Sequence, residues 1–273
     1  VTTLEDDFSY VLRKAMKGCG LSPGEVAGRA GVAEGDVQLL LLGTFSAATA
    51  RAVAPALGLD PEALARHPQY PAEPALAPEV TRIVIPFGDL GVNVWLVRAP
   101  GAALIFDSGT DADALDKALL GRAVHRLNAA FITHGHADHI GGLPAVRRLS
   151  ERIYAPEHET VAGTLPIEAH EAHEFGAVRV SALASEGHTP GAMSYRIDGL
   201  SKPVCVVGDA LFAGSMGGCA DRASYQLGRM RIRDQILTLP GDTLLLPGHG
   251  PVTSVAIEQA HNPFFACGAE SCG

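Results

Sequence analysis

Six consecutive residues, His134-Gly135-His136-Ala137-Asp138-His139, carry four metal-ligating side chains directly after the apolar run Ala129-Ala130-Phe131-Ile132. Alternation along an extended chain puts His134 and His136 on one side of the strand end. The turn that follows brings Asp138 and His139 round from another direction. Neutral imidazole and carboxylate are the donors a borderline divalent ion prefers. Held beside a core, such donors are costly unless a cation neutralises and orients them. Gly141-Gly142 then lets backbone pack close to the donor loop. The chain is thereby constrained to a fold in which strand ends converge on one point.

Further donors sit at comparable places. His188 lies in the tight loop Glu186-Gly187-His188-Thr189-Pro190-Gly191, Asp209 follows the apolar run Val204 to Gly208, and His249 lies in Pro247-Gly248-His249-Gly250-Pro251 after Leu244-Leu245-Leu246. Strands are expected at Arg82 to Pro86, Val92 to Val97, Ala103 to Phe106, Ala129 to Ile132, Val178 to Val180, Met193 to Arg196, Val204 to Val207 and Thr243 to Leu246. Helical stretches are expected at Ala112 to Leu120, Leu143 to Leu149 and Tyr225 to Leu237. Hairpin strands mixed with crossover helices make a layered α/β protein. The pair His170 and His173 has neither the i, i+4 spacing of a helical metal site nor neutral surroundings, and is read as a solvated face. His67, His125, His158 and His261 belong to no pattern.

His-x-His-x-Asp-His followed by the later His188, Asp209 and His249 resembles the metallo-β-lactamase superfamily, and Phe106-Asp107-Ser108-Gly109 resembles its preceding short motif. The resemblance implies an αββα sandwich with a two-metal site at one edge. It implies one ion on His134, His136 and His188, a second on Asp138, His139 and His249, and Asp209 as the bridge. Asp138 and Asp107 are carried over as the catalytic acids, Asp107 by steadying the donor loop. Zinc is the first choice for the two divalent ions, with iron or manganese as alternatives.

Gly208-Asp209-Ala210-Leu211-Phe212-Ala213-Gly214-Ser215, together with Asn262-Pro263-Phe264, resembles the glyoxalase II-like branch. That branch implies thioester hydrolysis by a metal-bound hydroxide, with the ions stabilising the oxyanion. Two departures limit the transfer. The chain ends soon after Phe265, and it carries glycine where the branch has an arginine near Ser215-Met216-Gly217-Gly218-Cys219. The alternatives are a persulfide dioxygenase with one iron, which resembles the same branch, and a metabolite-sensing regulator. Antibiotic hydrolysis fits less well, because those enzymes are exported and Asp209 suits the hydrolase branches.

Residues 1–67 read as a small all-α domain, 68–79 as a stiff linker carrying Pro68, Pro71, Pro74 and Pro78, and 80–273 as the catalytic domain. Helices are expected over Leu4 to Lys17, from Ser22-Pro23-Gly24-Glu25 to Gly31, over Glu34 to Leu42, over Ser46 to Leu57, and after Asp60-Pro61. The order resembles a phage-repressor-type helix-turn-helix, whose third helix enters the major groove. Here that helix offers Glu34, Asp36, Leu39 and Leu42, and residues 1–68 hold six basic against eight acidic side chains, a net of −2. DNA binding leaves a basic footprint, so the balance argues against it. Leu39 to Leu42 instead predict docking, either on the catalytic domain or in a homo-oligomer formed through the module. The whole-chain charge of −9 argues against anionic membranes, no leader or apolar span is evident, and the expected address is the cytoplasm. In that compartment Cys19, Cys205, Cys219, Cys267 and Cys272 are expected as free thiols.

Overall fold

The computed structural model describes residues 3–87 and 90–266. It opens with five short helices, α1 (Phe8–Cys19), α2 (Pro23–Ala30), α3 (Glu34–Leu41), α4 (Ala47–Val53) and α5 (Pro61–Ala65). Their ends follow from capping chemistry. Ser22 and Glu25 form a reciprocal capping box with Pro23 at the first turn, and Gly31 closes α2 in the left-handed region. α1 starts at Phe8 rather than Leu4, because the Asp7 side chain accepts the amides of Ser9 and Tyr10. The expected fourth helix is cut in two, Pro55 turning its last part into a 3-10 turn.

Two six-stranded sheets follow. The first runs in the order β1 (Val80–Phe87), β2 (Leu90–Ala99), β3 (Ala102–Phe106), β4 (Ala129–Phe131), β5 (Ile153–Pro156), β6 (Leu165–Ile167). The second contains β7 (Ala172–Phe175), β8 (Val178–Ala184), β9 (Met193–Asp198), β10 (Val204–Gly208), β13 (Leu244–Pro247) and β14 (Thr253–Ser254). Between β10 and β13 comes a small hairpin of β11 (Leu211–Phe212) and β12 (Ser215–Met216). The helices of this part are α6 (Ala112–Leu120), α7 (Ala137–Ile140), α8 (Leu143–Leu149), α9 (Arg222–Arg231), which runs on into a π-helical turn, and α10 (Val255–His261).

Period-two alternation assigns the strands' side chains to layers. Val204, Val206, Leu244 and Leu246 meet Trp95, Leu104, Phe106 and Phe131 between the sheets. Val94, Leu96, Ile105, Ala130 and Ile132 face α6 and α8 on the far side of the first sheet. Cys205, Val207 and Leu245 face outward from the second sheet. Each of the large core side chains contributes about 1.5–3 kcal/mol by leaving water. The result is a mixed α/β sandwich of two sheets flanked by helices, with an N-terminal helical region.

That helical region packs on α9, and through α9 and its π-helical turn it joins the apolar cluster on the outer face of the second sheet. Leu12, Met16 and Leu57 share one apolar cluster with Ile232, Ile236, Phe264, Cys205 and Val207. Arg229 of α9, buried, donates to the carbonyls of both Gly58 and Phe264 at 3.0 Å. The docking surface is therefore α1 and its neighbouring turn, not the leucine run of α3. Leu40 and Leu41 turn into the module's own core, whereas Leu39 and Leu42 remain 49% and 78% exposed. The proline-rich stretch lies along the sandwich, with Glu73 paired to Arg82 at 2.8 Å and accepting the Val252 amide at 2.9 Å.

Two further expectations are corrected. Cys19 is disulfide-bonded, while Cys205 and Cys219 are free and buried. The expectation for Cys267 and Cys272 lies outside the described residues. His173 does not belong to a solvated face: it sits half-buried on β7 against the Tyr154 ring, 4.3 Å between centroids, while His170 is exposed with φ of 72°.

Candidate metal centre

All the donor loops emerge from strand ends at one edge of the sandwich. β3 and β4 run parallel, so Asp107 and the loop 133–139 leave at the same end; β10 and β13 run parallel and deliver Asp209 and His249. The two sheets are locked together just beneath. Asn93 N–H donates to the Gly248 carbonyl at 2.7 Å, Trp95 Nε1 to the Pro247 carbonyl at 3.0 Å, and Tyr195 Oη to the Ile132 carbonyl at 2.6 Å. Phe131, packed against Phe106, Tyr154 and Tyr195 at 5.1–5.4 Å, anchors the strand from which the loop 133–139 leaves.

At this edge the structure brings together every sequence-predicted donor. His136 Nδ1 lies 3.1 Å from His134 Nε2 and 3.0 Å from His188 Nε2. A tetrahedral ion with bonds of about 2.0–2.1 Å sets neighbouring donors roughly 3.3 Å apart, so this triangle is the size of one coordination face. The second group is His249 Nε2 at 3.1 Å and His139 Nε2 at 3.7 Å from Asp138 Oδ2. Asp209 stands between the groups. Its Oδ2 is 3.6 Å from both His188 and His249, and its Oδ1 is 3.4 Å from His139. His134-His136-His188, His134-His139-Asp209 and Asp138-His139-His249 are each close enough to hold one ion.

The polar accounting fits a cation. His139 Nε2 and Asp209 Oδ1 are both buried with no hydrogen-bond partner and face each other across 3.4 Å, an arrangement a shared cation would satisfy. Burial alone would raise the Asp209 carboxyl, yet the imidazoles of His139, His134 and His249 hold it well below the carboxylate range. Burial alone would lower His139, yet Asp209 and Asp107 pull it well above its ordinary value. The buried acids thus draw positive charge to this point. His134, buried and surrounded by other imidazoles, is driven the opposite way, down to about 2, and keeps a neutral donor nitrogen.

Four of the five donor histidines have the outer nitrogen held. His139 Nδ1 lies 2.8 Å from Asp107 Oδ2, and Asp107 also accepts the Thr133 amide at 2.7 Å and its hydroxyl at 2.9 Å. With its proton committed to Asp107, Thr133 Oγ1 can accept from His134 Nδ1 at 3.0 Å. His188 and His249 place Nδ1 at 2.8 Å and 3.1 Å from the carbonyls of Gly218 and Gly91. These contacts fix tautomer and ring orientation so that Nε2 points inward. Gly248 is required beside the donors, since a Cβ there would lie 2.2 Å from Asp209 Oδ1 and 2.6 Å from His139 Cε1.

Some positioning residues carried no sequence signal. Glu159 accepts the amides of Gly135 at 2.9 Å and Gly191 at 3.1 Å, and the Thr189 hydroxyl, so one carboxylate ties the His134 loop to the His188 loop. His67, read as ordinary, is buried with Nε2 3.0 Å from the Gly214 carbonyl, next to the hairpin that follows Asp209. Both act largely through backbone groups, which a residue pattern does not reveal.

A model described as "Metallo-beta-lactamase superfamily" matches residues 87–249, more than half of the 273-residue chain. The chain belongs to the metallo-β-lactamase superfamily. Among its relatives in that superfamily, the "Probable metallo-hydrolase YqgX" of Bacillus subtilis is 30% identical over 203 residues, covering 66% of this chain and 95% of the relative. The hydroxyacylglutathione hydrolase of Dechloromonas aromatica is 31% identical, covering 57% of each chain. Human mitochondrial persulfide dioxygenase ETHE1 is 30% identical, covering 61% of this chain and 67% of its own. The solved structure of the BLEG-1 B3 metallo-beta-lactamase superposes with a TM-score of 0.54 at 30% identity, covering 68% of this chain and all of that one. TTHA1623 "in a di-iron-bound form" gives 0.52 at 25% identity, with 67% and 100% covered. The superfamily match leaves the N-terminal helices outside it. No helix of the described residues is long and apolar enough to cross a membrane.

Proposed function

We propose that the chain is a two-metal hydrolase of a thioester or related ester. The observation that carries this reading is the pair of donor groups meeting at Asp209, with the outer nitrogens of His134, His139, His188 and His249 already anchored. One ion would take His134, His136 and His188, the other Asp138, His139 and His249, with Asp209 shared. The donor set suits zinc, iron or manganese, and the di-iron form of TTHA1623 supports iron beside zinc. When bound, such ions supply water activation near neutral pH and Lewis-acid polarisation of a carbonyl.

The protein's own part is positioning. Asp107 and Thr133 orient His139 and His134, and Glu159 keeps the two histidine loops at fixed separation. Asp138 faces His249 at 3.1 Å on the open side of the site. A thiolate leaves without prior protonation, so no separate general acid is needed. Similarity to the hydroxyacylglutathione hydrolase supports a thioester as substrate.

Similarity to persulfide dioxygenase ETHE1 supports a second reading, a single iron acting on a persulfide. The completeness of the Asp138-His139-His249 group favours the hydrolase. In either case the helical region serves docking rather than DNA, since α3 exposes Glu34, Asp36 and Leu39 and no arginine or lysine. The test is elemental analysis of protein purified without added metal, combined with thioester and persulfide assays. About two ions per chain and thioester turnover that disappears in Asp138→Ala are expected. One iron per chain with oxygen uptake on a persulfide would replace the hydrolase with the dioxygenase.

A further inference from the structure

The helical region also reaches the mouth of the metal centre. Glu5 packs on Gly250, the residue after the donor His249: a Cβ built at Gly250 would lie 3.1 Å from both the Cβ and the amide nitrogen of Glu5. Asp6 is buried, accepts the Ser215 hydroxyl at 2.6 Å, and pairs with Lys14. Lys14 also donates to the Met216 carbonyl at 2.9 Å and stands 4.9 Å from the centre of the Phe212 ring. The β11–β12 hairpin, which begins two residues after Asp209, is thus gripped by the N-terminal segment. Phe212 and Phe87 flank His249, with ring centroids 6.0 Å and 6.1 Å away. None of residues 1–86 lies within the superfamily match.

The charges at this wall do not cancel. Lys14 is matched by Asp6, whereas Glu5 has no ion-pair partner among the described residues. Burial raises the Glu5 carboxyl and His249 opposes the shift, with Asp6 and Asp209 adding to it and Lys14 lowering it. Its packing on Gly250 puts Glu5 one residue from the donor His249.

We infer that the segment before α1 forms one wall of the substrate mouth, and that Glu5 sets its charge preference: acyl donors with a cationic or neutral leaving group are favoured over anionic ones. This rests on the thioester reading above. The carboxylate attracts a cationic group carried on the leaving thiol, while Phe212 and Phe87 offer it apolar and π surface.

Three acetyl thioesters that differ only in the thiol test this: those of thiocholine (cationic), N-acetylcysteamine (neutral) and 3-mercaptopropionate (anionic). kcat/KM is measured for the metal-loaded full chain and for Glu5→Gln and Glu5→Lys, with the neutral ester as internal reference. The binding of the corresponding free thiols is measured by titration calorimetry. The unsubstituted protein is expected to favour the cationic over the anionic ester by roughly five- to tenfold, the scale of unit charges several ångströms apart at a partly screened mouth. Glu5→Gln should bring the ratio near one and Glu5→Lys should invert it, mainly through KM. Thioester turnover with the same ratios in all three proteins overturns the inference and leaves the hydrolase standing. If no ester is turned over, the hydrolase reading falls, and the thiol affinities decide: a charge preference that inverts in Glu5→Lys sustains the wall, and one that does not overturns it.

Discussion

Asp107 shows how much one carboxylate can organise. It sits in the left-handed region, φ of 58°, a conformation that costs a non-glycine residue free energy and persists only when surroundings enforce it. The enforcement is its three contacts, to the Thr133 amide, the Thr133 hydroxyl and His139 Nδ1, all buried. Asp107→Ala leaves His139 free to rotate and Thr133 without an acceptor. Metal affinity is expected to fall about 10- to 100-fold with the fold retained, measured by competition with a chelator; unchanged affinity would show that His139 needs no such orientation. Among the donors, legibility in the sequence was high because each sits in a short run of unusual composition after an apolar strand. Glu159 was illegible for the opposite reason: two of its three partners are the amides of Gly135 and Gly191, which any sequence supplies, and the third is the hydroxyl of Thr189, distant in sequence.

At the scale of elements, the long apolar strands were readable and the short ones were not. β10 and β13 announce themselves as continuous apolar runs because both faces are buried. β6 exposes Leu165 and Pro166, and β7, an edge strand of Ala172, His173, Glu174 and Phe175, buries only its last residue, so neither shows alternation. The same limit hid the clamp on the β11–β12 hairpin. Glu258 of α10 is buried and accepts from Thr253 Oγ1 and Asn262 Nδ2, both at 2.6 Å, from the Tyr70 hydroxyl, and from the Gly214 amide at 3.3 Å. Burial pushes its carboxyl from 4.5 up to about 7, against the lowering effect of those donors. A carboxyl raised on folding binds its proton more tightly in the folded state. Its contribution to stability is therefore full below a pH of about 4.5 and is lost as the pH rises through about 7. The loss is at most about 3 kcal/mol. Chemical unfolding followed across this window should show stability falling with pH, and Glu258→Gln should flatten that slope while lowering stability at the acidic end, because an amide cannot accept from every donor present. An unchanged slope in the variant would place the titration elsewhere.

For the molecule as a whole, the decisive fact is that one apolar cluster runs through both the helical region and the sandwich. A linker rich in proline and a separate helical pattern suggest two independent bodies, and pattern alone cannot show whether two bodies share a core. Here Leu12, Met16 and Leu57 lie in the same cluster as Ile232, Ile236, Phe264 and the outward-facing Cys205, Val207 and Leu245. Each large side chain that loses this cover costs about 1.5–3 kcal/mol, and several lost together approach the 5–15 kcal/mol that holds a typical protein folded. Neither part is then stable enough to persist while the other is unfolded. Trp95, the single tryptophan, is buried between the sheets and reports the sandwich, whereas far-UV circular dichroism draws much of its helical signal from α1 to α5. Denaturant titrations followed by the two signals are expected to superimpose on one transition. Removal of residues 1–68 is expected to give aggregated protein, because it bares the apolar side chains of α9 and its neighbours in that shared cluster. A helical signal lost at lower denaturant than the tryptophan signal, with a soluble truncated chain, would mean that the helices ride on the sandwich without supporting it, and that Glu5 reaches the metal mouth from a separable cap.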